Sequence, residues 1–241
     1  MTTELEALQG ALPYLLDGLF ITLQLTVGGA LLAFVIAIGL GLLARFENIL
    51  LRGFARAVIE VFRGTSLLVQ LFFLFFVLPL PPFNVELPSV LVGVLGLGLN
   101  YGAYGAEVVR GSINSVARGQ WEATTALSLS RSQRMWRVIF PQAWALMIPS
   151  LTNLLIQLLK GTAVVYLITI VDFTAELNKL RIDTDVFFAY GLGLLVYFVI
   201  AYILTIAMNA LEARAKHRLG QGTRLRDAVA SPTVDAEGDA P

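Results

Sequence analysis

Cysteine is absent from the 241-residue sequence, and histidine occurs only once, at His217. The absence of cysteine excludes disulfide bonds, thiolate metal sites and a cysteine nucleophile. A single histidine has no second histidine with which to form a metal site. No GxxxxGK[ST] motif occurs either, so the chain does not bind ATP through a P-loop. With no Ser/His/Asp triad or paired carboxylates, we expect a protein that is not an enzyme and carries no cofactor.

Charged residues are also scarce. They make up 14% of the sequence, against 57% apolar residues, which is about half the charged fraction of a soluble globular domain. The formal net charge is zero, which gives no indication of nucleic-acid binding. Between Asp17 and Arg45 lie 27 consecutive uncharged residues, and about 20 suffice to cross the hydrocarbon core as a helix. The composition therefore predicts a membrane protein.

The charged residues divide the chain into long apolar runs. Because each backbone N–H and C=O group must be satisfied within its own segment in lipid, these runs are predicted to be helices. The five predicted transmembrane spans are 18–44, 64–85, 87–106, 138–159 and 186–211. A shorter run, 161–171, is predicted to be a partial helix after a break at Lys160-Gly161-Thr162, with a sixth span as the alternative. The predicted fold class is an all-α membrane protein.

Lysine and arginine are distributed unevenly along the chain. Residues 45–63 contain four, 107–137 five and 212–241 five, whereas 1–17 and 79–88 contain none and 172–185 two. This bias predicts an external N-terminus and a cytoplasmic C-terminus. Residues 1–12 are then an external lead-in and 13–218 the transmembrane domain. The polar segment 219–241 is predicted to be a disordered cytoplasmic tail.

Two predicted spans carry small residues at four-residue spacing, which lets helices approach each other closely. These residues are Gly29, Ala33, Ala37 and Gly41 in the first span, and Gly98, Gly102 and Ala106 in the third.

A few polar residues lie within or beside the apolar runs. An ammonium group such as that of Lys160 costs several kcal/mol in a bilayer unless it is paired or hydrated. It either lines a translocation path or is a snorkelling or structurally paired lysine. Glu107 and Arg110 share one helix face and are predicted to form a structural ion pair. Three further candidates for the path, with ordinary packing as the alternative, are Asn100, Tyr101 and Tyr104.

Two acidic residues, Asp172 and Glu176, lie near the predicted external end of the fourth span. They are either contacts for an external partner protein or part of a solvated face.

A long polar loop, 111–141, separates the third and fourth spans. It contains Trp121, Trp136 and several arginines, interleaved with apolar residues in the pattern of a surface helix. It also carries E-A-T at 122–124, serine at 128 and V-I-F-P at 138–141. This resembles the EAA loop of ABC-importer permeases, which is E-A-A, three residues, G, nine residues and I-x-L-P.

The match has departures. Thr124 stands in place of alanine and Ser128 in place of glycine, while Val138 and Phe140 are apolar replacements. The family glycine permits a positive φ after the helix, which costs more for serine.

Neighbouring segments resemble the polar amino acid branch of these permeases. They are "FRGTSLLVQLFFLF" at 62–75, "YGAYGAEVVRGSINSVARGQWEA" at 101–123 and "LLKGTAVVYLIT" at 158–169. The resemblance covers about residues 14–215. It implies the five-helix type I (MetI-like) architecture and an inner-membrane location.

By this resemblance the loop forms a short coupling helix that docks on an ATP-hydrolysing subunit. The residues implied in that contact are Glu122, Ala123, Thr124, Leu127, Ser128 and Pro141. The implied partners are two ATP-binding cassette subunits, a second permease (identical or paralogous), an extracytoplasmic solute-binding protein and membrane lipid. ATP would be bound by the cassette subunits and not by this chain.

Several functions are consistent with these features. The segments from Ile59 and Leu99 look closest to ectoine and hydroxyectoine permeases, which favours a compatible solute as cargo. The alternative cargo is an ordinary polar amino acid such as glutamine, glutamate or arginine. An ion-coupled secondary transporter would predict an internal repeat and paired mid-membrane acids, and neither is apparent. A structural scaffold without transport is a further alternative.

Overall fold

The computed structural model describes residues 2–218, so the predicted tail at 219–241 lies outside the described residues. Every regular element in the described part is helical, as predicted. The elements are α1 (Thr2–Leu43), α2 (Ile49–Gly64), α3 (Leu67–Phe72) with a π-helical extension (Phe73–Val77), α4 (Ser89–Asn114), α5 (Arg118–Ala126), α6 (Arg131–Gln133), a π-helical segment (Arg134–Ile139), α7 (Phe140–Gly161), a 3₁₀ segment (Thr162–Ile168), α8 (Phe173–Asp183) and α9 (Val186–Arg218).

Four helical segments are long and apolar enough to cross a membrane. They are Glu6–Leu43, Ser89–Asn114, Arg131–Ile168 and Val186–His217. A fifth span is reached when α2 and α3 with its extension are counted together, and this pair is bent by 102°. The first span begins well before residue 18, because α1 continues through the predicted lead-in as one helix.

The span predicted over 64–85 is not a single helix. Residue 64 ends α2, Thr65 and Ser66 are extended, and the helix that follows ends at Val77. The Gln70 side chain donates to the carbonyl of Phe62 at 2.9 Å and to the Thr65 hydroxyl at 2.7 Å. The bend therefore forms without proline, because a side chain satisfies a carbonyl group that the broken helix leaves free.

The predicted break at residues 160–162 is also absent. The helix continues from α7 into the 3₁₀ segment, where the Thr162 hydroxyl donates to the Leu159 carbonyl at 2.7 Å. It ends at Thr169, which has a φ of 64°. Residues 162–168 are thus the last turns of the fourth predicted span, and no separate sixth span forms within the described residues.

The predicted small-residue stripes meet where α1 packs against α4. A Cβ atom built on Gly102 would lie 2.8 Å from Ile36 Cβ and 3.2 Å from the Ala33 carbonyl oxygen. A Cβ built on Gly41 would lie 2.8 Å from Val109 Cβ. The two backbones approach this closely only because the contact positions lack side chains.

We expect Gly102→Val to destabilise the protein by about 1–3 kcal/mol, because the added carbons force α1 and α4 apart. Thermal unfolding of the purified protein measures the effect. The matched control is Gly39→Val, since a Cβ at Gly39 meets nothing within 4 Å. Equal unfolding temperatures for the two variants would contradict the close α1–α4 contact.

Asp172 and Glu176 are buried, so both predictions for them, a contact with an external partner protein and a solvated face, are wrong. Asp172 has no exposed surface and Glu176 is 7% exposed, because both lie where α8 packs against α1. One Asp172 oxygen caps α8 by accepting from the Ala175 N–H at 3.0 Å, whereas Oδ2 has no hydrogen-bond partner in the described part of the chain. Burial raises the pKa of the Asp172 carboxyl, against the opposing effect of the Ala175 hydrogen bond.

A raised pKa means that the folded protein holds this proton more tightly than the unfolded chain does. Stability should therefore fall as pH rises above the unfolded value of about 3.9, until the folded pKa is passed. We expect Asp172→Asn, which retains a capping oxygen, to unfold at a higher temperature than wild type at pH 7 and to match it near pH 4. Asp185→Asn, at an exposed cap that accepts from the Phe187 N–H, is the control. A constant offset across pH would refute this explanation.

Candidate functional site

The loop between α4 and α7 folds as two short helical pieces joined by a tight turn. Helix α5 ends in a Schellman motif: the Ser128 N–H donates to the Thr125 carbonyl at 2.9 Å, and the Leu129 N–H to the Thr124 carbonyl at 3.1 Å. Ser128 has a φ of 52°. The position where the family pattern has glycine thus adopts the left-handed conformation that glycine favours.

We expect Ser128→Gly to stabilise this turn by about 0.5–1 kcal/mol, because glycine adopts a positive φ without steric cost. Ser128→Val should destabilise it, since a β-branched side chain tolerates this conformation poorly. Hydrogen exchange of the amide groups of residues 127–129 reports on the turn directly. Identical exchange in the two variants would mean that the left-handed conformation does not form.

Helix α5 has an inner and an outer face. Trp121 is half-buried and Thr124 is 2% exposed, with the Thr124 hydroxyl donating to the Trp121 carbonyl at 2.8 Å. Leu127, by contrast, is 71% exposed. The exposed predicted contact residues are Glu122, Ala123, Leu127, Ser128 and Pro141. Thr124 alone among the predicted contacts faces the protein interior.

Side chains from elsewhere fix the position of this loop. The Arg45 guanidinium lies 5.7 Å from the centre of the Trp121 ring, a cation–π contact. Glu47 forms an ion pair with Arg131, and the hydrogen bond and charge of Arg131 lower the pKa of Glu47. Both of these side chains are exposed, so salt screens the pair. The α1–α2 connection therefore contacts both helical pieces of the loop, α5 and α6.

A second polar group lies halfway along α4. The Tyr104 hydroxyl donates to the Arg63 carbonyl at 3.2 Å, and the Arg63 guanidinium lies 5.6 Å from the centre of the Tyr104 ring. Arg63 also pairs with Glu60 at 3.3 Å. Its Nε is buried without a hydrogen-bond partner among the described residues. Together they place a partly unsatisfied guanidinium against the middle of α4, beside the bend between α2 and α3.

The other predicted path residues lie near this group or near α7. The Tyr101 hydroxyl donates to the Gln157 carbonyl at 2.8 Å. Lys160, on the same stretch of α7, is exposed and has no ion-pair partner in residues 2–218. Asn100 is only 5% exposed, and its amide donates to the Phe62 carbonyl at 3.1 Å and to Gln70 Oε1 at 3.2 Å. The structure thus uses Asn100 to hold the bend between α2 and α3.

Glu107 and Arg110 contact each other on one face of α4. The guanidinium makes two-pronged contact with the carboxylate, with Arg110 Nη2 2.5 Å from Glu107 Oε2. This geometry is the strong bidentate form of the arginine–carboxylate pair.

Residues 37–217 match the model of the family described as "Binding-protein-dependent transport system inner membrane component". The chain belongs to this family. The permease is 44% identical over 201 residues to the probable amino-acid ABC transporter permease protein y4tF of Sinorhizobium fredii, covering 81% of this chain and 84% of that one. It is 32% identical over 206 residues to the L-cystine transport system permease protein TcyB of Bacillus subtilis, covering 84% and 86%.

Solved structures agree in fold. The permease superposes on a chain from a crystal structure of an amino acid ABC transporter with histidines with a TM-score of 0.75, at 30% identity, covering 84% of this chain and 94% of that one. An inward-facing MetNI methionine ABC transporter gives a TM-score of 0.67 at 18% identity, covering 85% and 97%. The second similarity concerns the fold alone.

Family membership establishes several points about the permease. It is a non-enzymatic translocation subunit of an ABC importer and a multi-pass protein of the inner membrane. Membership also implies ATP-binding subunits and a solute-binding protein as partners.

Glu60 and Arg63 are not among the site residues predicted from the sequence. A usable signal was present: Arg52, Arg56, Glu60 and Arg63 recur at spacings of three and four, which places them along one face of a helix. Residues 45–63 lie outside the five predicted spans, so the helix α2 that carries this charged face is visible only in the structure.

Proposed function

We propose that this permease subunit imports a polar amino acid or a closely related zwitterion. Support comes from its 44% and 32% identity to permeases named for amino-acid and L-cystine transport. The observation that carries the chemistry is the Arg63 guanidinium, which is held against the Tyr104 ring on a side chain that is 33% exposed. A solute carboxylate would pair with this charge.

The exposed residues of α5 are proposed to dock on the ATP-binding subunit. An amphipathic helix seats its apolar side chains in a groove while charged residues at the rim fix the register. Leu127 offers the apolar contact and Glu122 the acidic rim, and the ion pair of Glu122 within the described residues is with exposed Arg118, at 3.0 Å. Thr124, which is buried beneath this surface, and the Schellman turn fix its conformation.

The residues proposed to line the translocation path are Arg63, Tyr104, Tyr101 and Lys160. The cations would meet the solute carboxylate, and the face of an aromatic ring would meet its cationic group. Asn100 is assigned a supporting role, since it is buried and holds the α2–α3 bend.

The proposed orientation has the C-terminus in the cytoplasm. Fourteen lysines and arginines lie in segments on the same side as loop 111–141, whereas two lie on the other side, and this bias supports a cytoplasmic C-terminus.

Ectoine, which the sequence patterns favour, and amino acids share a carboxylate and a cationic group, and none of the relatives described above is named for ectoine. Uptake by cells in which this gene is deleted and then restored distinguishes the candidates. The labelled solutes are glutamine, glutamate, arginine, cystine and ectoine. Loss and recovery of one amino acid supports the proposal, and loss and recovery of ectoine alone moves the cargo to compatible solutes. No dependence for any solute under inducing conditions would refute import.

A further inference from the structure

Four arginines line one small cleft near the ends of α1 and α4 and the start of α2. The cavity has a volume of about 230 Å³. Its lining residues are Ala44, Arg45, Arg52, Arg56, Arg110 and Asn114.

The positive charge in this cleft is largely uncompensated. Arg110 is paired with Glu107, at 2.5 Å. Arg45 donates to the neutral carboxamide oxygen of Asn114, and Arg52 and Arg56 form no ion pair within the described residues. When Glu60 and its partner Arg63 are included, two carboxylates face five guanidinium groups, which leaves a net positive charge of three around the cavity. Burial and the charge of Arg110 lower the pKa of Arg45, which agrees with a site that lacks a counter-ion.

Beside the arginines, two apolar side chains are exposed. Ile49 is 70% exposed and lies on the same face of α2 as Arg52 and Arg56. Phe46 follows Arg45 in the chain and is 54% exposed. Positive charge and exposed apolar side chains therefore lie together at the end of the first span, Glu6–Leu43.

We propose that this cleft binds the phosphate of an anionic membrane lipid, whose acyl chains contact Phe46 and Ile49 beside it. Guanidinium groups bind phosphate oxygens in the two-pronged geometry that a fork of N–H donors allows. Basic pockets between transmembrane helices are suited to anionic headgroups for the same reason. The position of the cleft at the end of a membrane span favours a lipid over a soluble anion, since a free phosphate would leave exposed Phe46 and Ile49 without contacts. Lipid binding requires neither solute nor ATP, so this proposal does not depend on the proposed function.

The test uses the purified transporter with its ATP-binding subunits. Fluorescent phosphatidylglycerol is titrated against a phosphatidylcholine background, and energy transfer from tryptophan reports binding. Arg52→Gln/Arg56→Gln is expected to weaken binding roughly tenfold or more. Arg52→Lys/Arg56→Lys should retain most of it, because the charges remain. Arg181→Gln/Arg214→Gln removes two exposed arginines outside the cleft and should leave binding within about twofold of wild type. Unfolding temperatures identify any variant that fails through misfolding.

Four results would overturn the proposal. An equal loss in the control variant would mean non-specific attraction to the surface. Displacement by glycerol phosphate or inorganic phosphate at comparable concentrations would assign the cleft to a soluble anion. Displacement by the transported solute would make the cleft part of the path. Loss of the ATP-binding subunit from Arg52→Gln/Arg56→Gln, with lipid binding intact, would make it a protein contact.

Discussion

Replacing Glu122 with lysine is expected to lower solute uptake by about tenfold or more while the protein accumulates normally in the membrane. Glu122 lies on the exposed face of α5, and its known contact is an exposed ion pair with Arg118. Reversal of its charge therefore costs little within the chain. At a docking surface, however, a reversed charge meets a like charge or loses its partner, which costs several kcal/mol. Uptake of labelled solute, with immunoblots of membrane fractions, measures both quantities.

Arg118→Ala is the matched control for this prediction. It removes the same ion pair and leaves the Glu122 carboxylate in place. Exposed ion pairs contribute at most about 1 kcal/mol, so uptake should stay close to wild type. Solute-stimulated ATP hydrolysis by the purified complex should fall in Glu122→Lys and persist in Arg118→Ala. Wild-type uptake by Glu122→Lys would remove Glu122 from the docking surface.

The long apolar helices could be predicted because lipid imposes a simple rule on them. An uncharged run of sufficient length must satisfy its own backbone, and so α1, α4, α7 and α9 follow from the positions of charged residues alone. The small-residue stripes were equally accessible, since Gly102 and Gly41 recur with their neighbours at four-residue spacing. Both features depend on residues close in sequence, whereas the pairing of the two stripes between α1 and α4 is visible only in the structure.

The bend after Gly64 could not be predicted in this way. No proline marks it, and it is held by hydrogen bonds from Gln70 and from Asn100, which lies 38 residues beyond the Phe62 carbonyl that it contacts. The burial of Asp172 has a similar origin, because α1 covers it from more than a hundred residues away. Contacts between distant parts of the chain decide both cases.

At the candidate docking site, the sequence and the structure contribute different parts. The spacing from Glu122 to Pro141 identifies the loop. Only the structure shows that Thr124 faces inward while the other contact residues face outward, and that Ser128 has a positive φ. The departure from glycine at Ser128 therefore leaves the turn geometry intact.

Replacing Arg63 with glutamine is expected to raise the KM for uptake about tenfold or more, with normal amounts of protein in the membrane. The reason is the accessible charge of the guanidinium, because the Arg63 side chain is 33% exposed and its ion-pair partner in the described residues is the exposed Glu60. A hydrogen-bonded charge contact with a solute carboxylate contributes about 1.5–3 kcal/mol, and glutamine offers neither the charge nor the fork of donors. Arg63→Lys should give an intermediate KM, because it retains the charge alone.

Two further variants separate solute binding from a structural role. Tyr104→Phe removes the hydroxyl that donates to the Arg63 carbonyl but retains the ring beneath the guanidinium, so its KM should remain near that of wild type. Glu60→Gln removes the existing ion-pair partner of Arg63. If Arg63 acts only through that pair, Glu60→Gln and Arg63→Gln will lower the unfolding temperature equally and leave KM unchanged. A raised KM in Arg63→Gln, with KM and unfolding temperature unchanged in Glu60→Gln, instead indicates that the guanidinium contacts the solute, since both variants lose the Glu60 pair.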